Sequence, residues 1–533
     1  MNLEGSMAHE HEGPPLQGGR RGSAHAKPGR LARRGLARLL AKKRPSREEA
    51  DRGDDTEERA RSGESARTDR EARLEKLRAH HQQMLWVYWS VVLLGAWTLL
   101  APLTFDYGRG LVEPSGGREV WLSLPTRARL MTWSDVVSGA LLLVFGWRAL
   151  TPNRPRSLWA CCFVGIWLSL APVLLWAPNA AAYLNGTLVG MLVIALTVLI
   201  PGMPNMPLFM KMGPATPPGW SYNPSSWPQR WVMIALGFAG FVVSRYLAAY
   251  QLGYIGSVWD PFFGDGTRRV LDSSMSQTLP ISDAALGTVA YTFEFLMGFM
   301  GSPSRWRTMP WMVTLYGILV IPLGLVHIFL VISQPVMVGQ WCTFCLLAAA
   351  IMLPMLPLEG DEVVAMGQHL VRAKRRGEPL WEVFWKGGSP EGSTRDERSP
   401  ELLTLPQQPA RVLKAGLWGM SVPWTLAASV LLGVALVFSP AVTGMARPPA
   451  DVLRVAGLLI VTASVIAMGE VFRLARYLNV FLGVGVALVP WLLDGGTVAG
   501  RVTGLILGLA VALLALPRGP RLERYGGWDR LVR

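Results

Sequence analysis

Long apolar stretches alternate with short polar stretches along most of this chain. Twelve stretches of roughly 20 residues carry few charges, and they fall into three groups of four. A helix of about 20 apolar residues is long enough to cross the hydrocarbon core of a bilayer. The pattern therefore predicts an all-α, polytopic integral membrane helical bundle rather than a soluble enzyme. The predicted spans are 84–103, 133–150, 158–176 and 184–200, then 231–252, 284–300, 311–332 and 340–356, then 422–438, 452–471, 478–493 and 498–516.

Charge supports this count and predicts an orientation. The net charge is +15, but most Arg and Lys residues lie at the ends of the apolar stretches, which argues against nucleic-acid binding. The basic loops follow the even-numbered spans, so the positive-inside rule predicts that both termini are cytoplasmic, in a bacterial inner membrane. Some longer outer loops also contain arginines, among them Arg118, Arg127 and Arg447. The bias is therefore strong but incomplete.

Three polar segments lie outside the spans. Residues 1–83 contain too little apolar surface to bury a core, which predicts a disordered, basic cytoplasmic tail. Adhesion of this tail to anionic membrane lipid is the alternative. Residues 359–421 are predicted to be a cytoplasmic linker, and residues 520–533 a second basic tail.

The first and third groups of spans resemble each other. The tripeptide Asp-Val-Val at Asp135 matches Asp-Val-Leu at Asp451, and Leu-Ala-Pro at Leu170 matches Leu-Val-Pro at Leu488, with a nearly constant offset. This regularity predicts an internal duplication with parallel copies, into which the middle group is inserted.

The same tracts resemble a known family. Trp-Ser-Asp-Val-Val-Ser-Gly at 133–139, followed by Tyr-Leu-Asn-Gly at 183–186, is similar to the SPW-repeat family of bacterial membrane proteins. The resemblance covers 84–202 and, more weakly, 422–519. It implies four-helix groups of paired hydrophobic hairpins and no known chemistry.

Four cysteines carry the candidate chemistry. Cys161 and Cys162 are adjacent in an apolar span and are predicted to be packing residues. Cys342 and Cys345 form a CxxC motif at the start of the eighth span, where residues three apart share a helical face and can form a disulfide. The predicted outer location favours a redox pair over two packing cysteines. No second CxxC or nearby His completes a zinc site, so no metal is expected.

An ordered set of residues precedes this motif. Ser273 and Ser276 lie between the fifth and sixth spans, Gly287 and Tyr291 follow in the sixth, and one further span leads to the CxxC. This order resembles the vitamin K epoxide reductase family over residues 228–358. Members of that family are four-helix membrane bundles that pass electrons from protein thiols to a quinone beside the CxxC.

The resemblance implies roles for particular residues. Cys345 would face the quinone, either ubiquinone or menaquinone, and Cys342 would exchange with a thioredoxin-like partner outside the membrane. The residues implied to shape the quinone pocket are Ser273, Ser276, Tyr291 and Phe344.

This chain departs from the family pattern at one important point. Typical members carry a second cysteine pair in the first outer loop, whereas residues 260–267 contain none, and Thr267 stands in one of the expected positions. Electrons would then have to come directly from an external thiol donor, with the 260–267 loop as a docking surface or lid. The alternative function is a non-catalytic scaffold or small-molecule-binding protein with a degenerate reductase bundle.

Two ionisable residues lie inside predicted spans. Glu294 and His327 fall in the sixth and seventh spans, where ionisable groups indicate function by default. One hypothesis is that they lie on facing helices, pair, and move a proton with quinone reduction. A structural hydrogen bond is the alternative.

Overall fold

Helices account for nearly all of the regular structure in the part of the chain that the computed structural model describes, which is residues 75, 78–200 and 206–532. Most of the predicted basic tail at 1–83 lies outside these residues. The first group of long helices is α1 (Leu85–Phe105), α2 (Leu124–Ala149), α3 (Pro155–Leu174) and α4 (Ala180–Ile194), which continues as a π-helical segment over Ala195–Leu199. The second group is α5 (Trp227–Gln251), α6 (Asp283–Phe299), α7 (Pro310–Met337) and α8 (Thr343–Arg375). The third group is α9 (Trp424–Thr443), α10 (Pro449–Met468), α11 (Leu478–Leu492) and α12 (Val498–Leu514).

Short elements connect the long helices. The short α-helices are Met206–Met210, Gly266–Leu271, Arg305–Thr308, Leu380–Lys386 and Pro409–Gly416. Single 3-10 turns or short 3-10 runs are found at Ser115–Gly117, Leu402–Thr404, Glu470–Tyr477 and Gly526–Arg530. Two short strands, Ala215–Thr216 and Thr394–Arg395, pair antiparallel with Ala215 opposite Arg395.

The ends of several long helices are set by side-chain caps. Asn179, Ser282 and Thr497 each precede a helix and accept a hydrogen bond from the amide three residues later. Such caps satisfy amides that have no partner within the helix. Cys342 occupies the same position before α8, with its sulfur as the acceptor.

The predicted all-α membrane fold is confirmed, since every predicted span corresponds to one of the twelve long helices. In the described part of the chain, ten helical stretches are long and apolar enough to cross a membrane, and α6 and α12 are shorter at 17 residues each. The largest difference concerns α8, which was predicted to end at residue 356 and continues to Arg375. The first part of the predicted 359–421 linker is therefore helical.

The first and third groups share one packing arrangement. In each group the first helix packs on the second, the third on the fourth, and the first on the fourth. Gly165 and Gly190 bring α3 and α4 so close that a Cβ on either would press on the carbonyl of the other. Gly483 and Gly508 do the same between α11 and α12. Equivalent small-residue contacts support the predicted duplication.

The middle group lies between the other two. Helix α6 contacts α3 of the first group, while α7 and α8 contact α10 of the third. Within the middle group, α5 packs against α6 and α8, and α7 packs against α8. The start of α8 and the loop before α6 therefore lie together at one face of the bundle, which we call the disulfide face.

Candidate functional site

A disulfide joins Cys342 and Cys345 at the start of α8, with the two Cα atoms 5.2 Å apart. The sulfur of Cys342 accepts a hydrogen bond of 3.0 Å from the amide of Cys345, and the amide of Cys342 donates to Gln334 Oε1 of α7 at 3.2 Å. Cys342 is completely buried, and Cys345 is partly exposed. Cys161 and Cys162 are buried free thiols.

Cys345 opens onto an apolar cavity of about 320 Å³ among α5, α6, α7 and α8. This volume is at the lower end of the range typical of small-molecule sites. Leucine, valine, alanine and methionine side chains form most of its wall. The side chains that bring polar or ionisable atoms to the wall are Ser244, Ser276, Asp283, Tyr291, Glu294, His327, Gln334 and Cys345.

The cavity brings together most of the residues singled out in the sequence. Ser276, Tyr291, Glu294, His327 and Cys345 all line it. Two others do not. Ser273 donates to the carbonyl of Val270 at 2.6 Å, and the ring of Phe344 packs against Tyr246, with the ring centroids 5.1 Å apart.

Tyr291 lines the same cavity as Cys345 and bonds to α8. Its hydroxyl donates to the carbonyl of Ala348, one turn after Cys345, at 3.1 Å. Its ring lies 6.4 Å from that of His327, nearly perpendicular to it. A phenol and an imidazole therefore share the cavity with a sulfur of the disulfide, and both can form hydrogen bonds with a polar ligand group.

Glu294 and His327 line the same cavity without touching. Among the described residues, no hydrogen bond or ion pair joins the two side chains, and both carboxyl oxygens of Glu294 are buried without a hydrogen-bond partner. The direct pair expected from the sequence is therefore not formed in this structure.

The loop at 260–267 covers Cys342. Asp260 accepts hydrogen bonds from the hydroxyl of Thr343, which lies inside the CxxC motif, and from the amide and hydroxyl of Thr267. Gly266 packs against the carbonyl of Trp341 so closely that no side chain would fit there. The loop thus lies directly over the start of α8.

The hydrogen bonds also affect the charge of Asp260. Burial on its own raises the pKa of this carboxyl, but the donors Thr267, Thr343 and the amides of Phe263 and Phe262 lower the pKa more, to well below its ordinary value. Asp260 is therefore an anion that four neighbouring residues hold in place, and we call it the latch residue.

Two family models match this chain. Residues 231–359 match the model described as the vitamin K epoxide reductase family, and residues 423–518 match the SPW repeat domain. This chain contains a vitamin K epoxide reductase family domain. No curated protein and no solved structure matches the chain.

Both matches agree with the resemblances found in the sequence. The reductase domain supports a membrane thiol oxidoreductase type of function, and its CxxC pair is present as a disulfide. The SPW match covers the third group of helices. For the first group, the resemblance remains a prediction that the shared glycine contacts support.

A polar network fixes residues 276–283, which close the cavity of the reductase domain at the disulfide face and which we call the cavity cap. Gln251 donates to the hydroxyl of Ser276 at 2.6 Å, and that hydroxyl lies 3.1 Å from both carboxyl oxygens of Asp283. Ser282 donates to Gln251 Oε1 at 2.6 Å. The Ser276 hydroxyl thus has its partners within the protein and acts as part of the wall. The sequence analysis did not single out Gln251 or Asp283.

The first group of helices completes this cap. Arg118, in the loop between α1 and α2, donates to the carbonyl of Ile281 at 2.8 Å and also to that of Ser276. The indole of Trp176 donates to the carbonyl of Pro280 at 3.0 Å, and Leu170 of α3 lines the cavity. The cap of the reductase domain is therefore held by residues outside the domain.

Proposed function

We propose that this protein is a membrane thiol oxidoreductase that passes electrons from an external dithiol, through Cys342 and Cys345, to a quinone. The observation that carries the proposal is the position of Cys345, which belongs to a disulfide at a helix start and lines an apolar cavity together with Tyr291 and His327. A quinone ring has apolar faces and two carbonyl oxygens. The cavity offers an apolar wall and the imidazole of His327, which can donate a hydrogen bond to one of those oxygens, while the Tyr291 hydroxyl donates to the carbonyl of Ala348.

The proposed reaction consists of two steps, each of which transfers two electrons. An external dithiol first reduces the disulfide by thiol–disulfide exchange and becomes a disulfide itself. The Cys342 and Cys345 thiols then give two electrons to the quinone and lose two protons, the quinone takes up two protons and becomes a quinol, and the protein disulfide forms again. The start of α8 favours the thiolate form that this step requires, because helix N-termini stabilise negative charge.

The donor would react at Cys342, and access to it depends on the loop at 260–267. Cys342 is completely buried beneath that loop, so a thioredoxin-like protein could reach its sulfur only after the loop has moved. Cys345 would remain beside the quinone and resolve the mixed disulfide.

Quinone reduction by the purified protein tests the proposal. With dithiothreitol as donor and a short-chain ubiquinone or menaquinone as acceptor, the protein should form quinol. Both Cys342→Ser and Cys345→Ser should abolish turnover. The matched control is Cys162→Ser, which removes a buried thiol far from the disulfide in sequence and should retain activity. Equal quinol formation by all three variants would contradict the proposal.

A second candidate function is a non-catalytic membrane scaffold or small-molecule-binding protein. The burial of Cys342, together with the absence of cysteine from residues 260–267, favours it. In that case the protein would bind a quinone without oxidising a dithiol. Quinone binding that is unchanged in Cys345→Ser, with no turnover of the wild type, would identify this function.

A further inference from the structure

Glu294 is the least compensated polar group of the cavity. It is completely buried on α6, one turn beyond Tyr291, and neither of its carboxyl oxygens has a hydrogen-bond partner in the part of the chain that the structure describes. A carboxyl group buried without a counter-ion favours the neutral, proton-carrying form. Intramembrane acids of this kind commonly mark proton pathways. Glu294 can therefore hold a proton at the wall of the proposed quinone site.

Further buried polar groups lie beyond Glu294, toward the face opposite the disulfide. The Tyr316 hydroxyl on α7 and Glu359 Oε1 on α8 are both buried without a hydrogen-bond partner. Glu294 lies within electrostatic range of both side chains, and Glu359 is also within range of the guanidinium groups of Arg305 and Arg230. Three buried groups on three helices thus lie between the cavity and the opposite face. We call Glu294, Tyr316 and Glu359 the buried acid row.

An ion pair closes the row at the opposite face. Glu362, one turn beyond Glu359 on α8, binds Arg305 with an Nε to Oε1 distance of 2.7 Å. The Arg305 guanidinium lies 5.2 Å from the centre of the Tyr316 ring, and it donates to the carbonyl of Met297, one turn beyond Glu294, at 2.8 Å. Arg305 therefore contacts the helices that carry all three members of the row.

The members of the row differ from this ion pair in one chemical respect. Glu362 is held by its ion pair with Arg305 and accepts a hydrogen bond from the hydroxyl of Ser225. Among the described residues no ion pair holds Glu294 or Glu359, so burial favours the neutral, proton-carrying form of both. Water molecules satisfy unpartnered buried polar atoms in many proteins and can connect such groups.

We propose that the buried acid row carries protons from the face opposite the disulfide to the cavity. The inference rests on the proposed quinone reduction. The Cys342 and Cys345 thiols would release two protons at the disulfide face as their disulfide forms. The quinone would take up two other protons, which arrive through Glu359, Tyr316 and Glu294. Each quinol formed would then be accompanied by the uptake of two protons from the opposite face. Turnover would thereby move positive charge across the membrane toward the disulfide face.

Proteoliposomes provide the test. The full-length protein is reconstituted with a short-chain ubiquinone, a pH-sensitive dye in the lumen, and valinomycin with potassium to prevent a membrane potential. A membrane-impermeant phosphine, tris(2-carboxyethyl)phosphine, is added outside. Only molecules whose disulfide faces outward then turn over, so the lumen corresponds to the opposite face. Quinol formation and lumenal pH are recorded together.

The wild type should make the lumen more alkaline in proportion to the quinol formed. Glu359→Gln should abolish the lumenal signal and slow quinol formation by about a hundredfold, the typical contribution of a positioned proton donor. Glu359→Asp, which keeps a carboxyl group, should restore both readouts. The control Glu391→Gln changes an exposed acid after α8 and should behave as the wild type.

The outcomes distinguish the proton path from the proposed quinone reduction on which it rests. The rate at which the phosphine reduces the disulfide should be the same in Glu359→Gln as in the wild type, which shows that the variant is folded. Quinol formation without lumenal alkalinisation in the wild type overturns the proton path and leaves the proposed function intact. Full activity and full alkalinisation in both Glu359→Gln and Glu294→Gln also overturn the path. Absence of quinol formation in the wild type overturns the proposed function, and the path with it.

Discussion

Replacing the latch residue tests whether the loop at 260–267 controls access to Cys342. In the structure one oxygen of Asp260 accepts from the Thr267 amide at 2.9 Å and from the Thr267 hydroxyl, and the other accepts from Thr343. Asp260→Asn removes the charge and turns one acceptor into a donor. We expect the loop to open more often and Cys342 to become more accessible.

The size of this effect follows from the hydrogen bonds that are lost. A hydrogen bond to a charged group contributes about 1.5–3 kcal/mol. Asparagine can keep the contacts of one oxygen but loses the two bonds from Thr267. Because the loop is partly solvated, we take the lower end for each, which gives about 3 kcal/mol. At about 1.4 kcal/mol for each factor of ten, the open population should rise about a hundredfold.

Alkylation of Cys342 measures that population. In a Cys345→Ser background the Cys342 thiol is free, and a bulky, membrane-impermeant maleimide can reach it only when the loop is open. If opening is rapid and unfavourable, the alkylation rate is proportional to the open population. Adding Asp260→Asn should accelerate alkylation about a hundredfold. Asp265→Asn, an exposed acid in the same loop, is the control and should have no effect.

The pH dependence provides a second check. The pKa of Asp260 lies well below its ordinary value of 3.8, because hydrogen bonds outweigh the effect of burial. A lowered pKa stabilises the closed loop above the ordinary value, and the stabilisation is lost only as the pH falls through the lower, folded value. The ratio of the two alkylation rates should therefore be constant between about pH 6 and about pH 8. If Asp260→Asn reacts no faster than Asp265→Asn, the loop does not act as a latch.

Four further predictions concern other parts of the molecule. Cys345→Ser should accumulate a mixed disulfide between Cys342 and a thioredoxin-like donor, visible on non-reducing gels, and recovery of no thiol-linked protein would count against direct transfer. Arg118→Gln should raise the quinone KM more than it lowers kcat, because two bonds to the cap are lost, whereas the exposed Arg129→Gln should change neither. Gly508→Val should destabilise the third group of helices by about 1–3 kcal/mol through overpacking, as measured by thermal unfolding. Gly485→Val is the control, because the space around Gly485 is open, and equal stability of the two variants would refute the close contact at Gly508. A phosphatase fused to the C-terminus should be inactive if that end is cytoplasmic, and an active fusion would contradict the orientation.

The helices could be predicted because their cause is local. Each span is a continuous apolar stretch of sufficient length, and that property is readable without knowing the neighbours. The end of α8 could not be read in this way. Glu359, Asp361 and Glu362 indicate a polar linker in the sequence, yet all three are buried. Asp361 accepts a hydrogen bond from Tyr222, and Glu362 forms an ion pair with Arg305, both of which are distant in sequence.

The candidate site was predictable to the extent that helical spacing determines it. Tyr291 and Glu294 are three residues apart on α6, so both face the same cavity. Phe344 precedes Cys345 by one residue, which rotates its side chain by about 100° around α8 and away from the cavity. Ser273 illustrates a different limit, because short hydroxyl side chains often bond to a nearby backbone carbonyl rather than face a ligand.

Long-range contacts of arginine were the main features that the sequence could not reveal. Arg118, Arg127 and Arg447 count as exceptions when loop charges are used to assign an orientation. In the structure each of them donates to backbone carbonyls, Arg127 to Trp176 at 2.8 Å and Arg447 to Pro335 at 2.8 Å. Their positions are therefore explained by structural hydrogen bonds. A charge count alone cannot distinguish such arginines from those that set topology.

The cap of the cavity gives the first group of helices a defined task. The reductase domain supplies the disulfide and the four helices α5 to α8 around the cavity, while Leu170 also lines the cavity and Arg118 and Trp176 hold its cap. If these residues belonged to a separate subunit, each association would carry the free-energy cost of bringing two molecules together. Covalent linkage keeps Arg118, Trp176 and Leu170 at a high effective concentration beside the cavity and its cap. In the proposed function, the 260–267 loop is the element that must move for a donor to reach Cys342. Donor access at the disulfide face and quinone access from the membrane would then be controlled by different parts of the same chain.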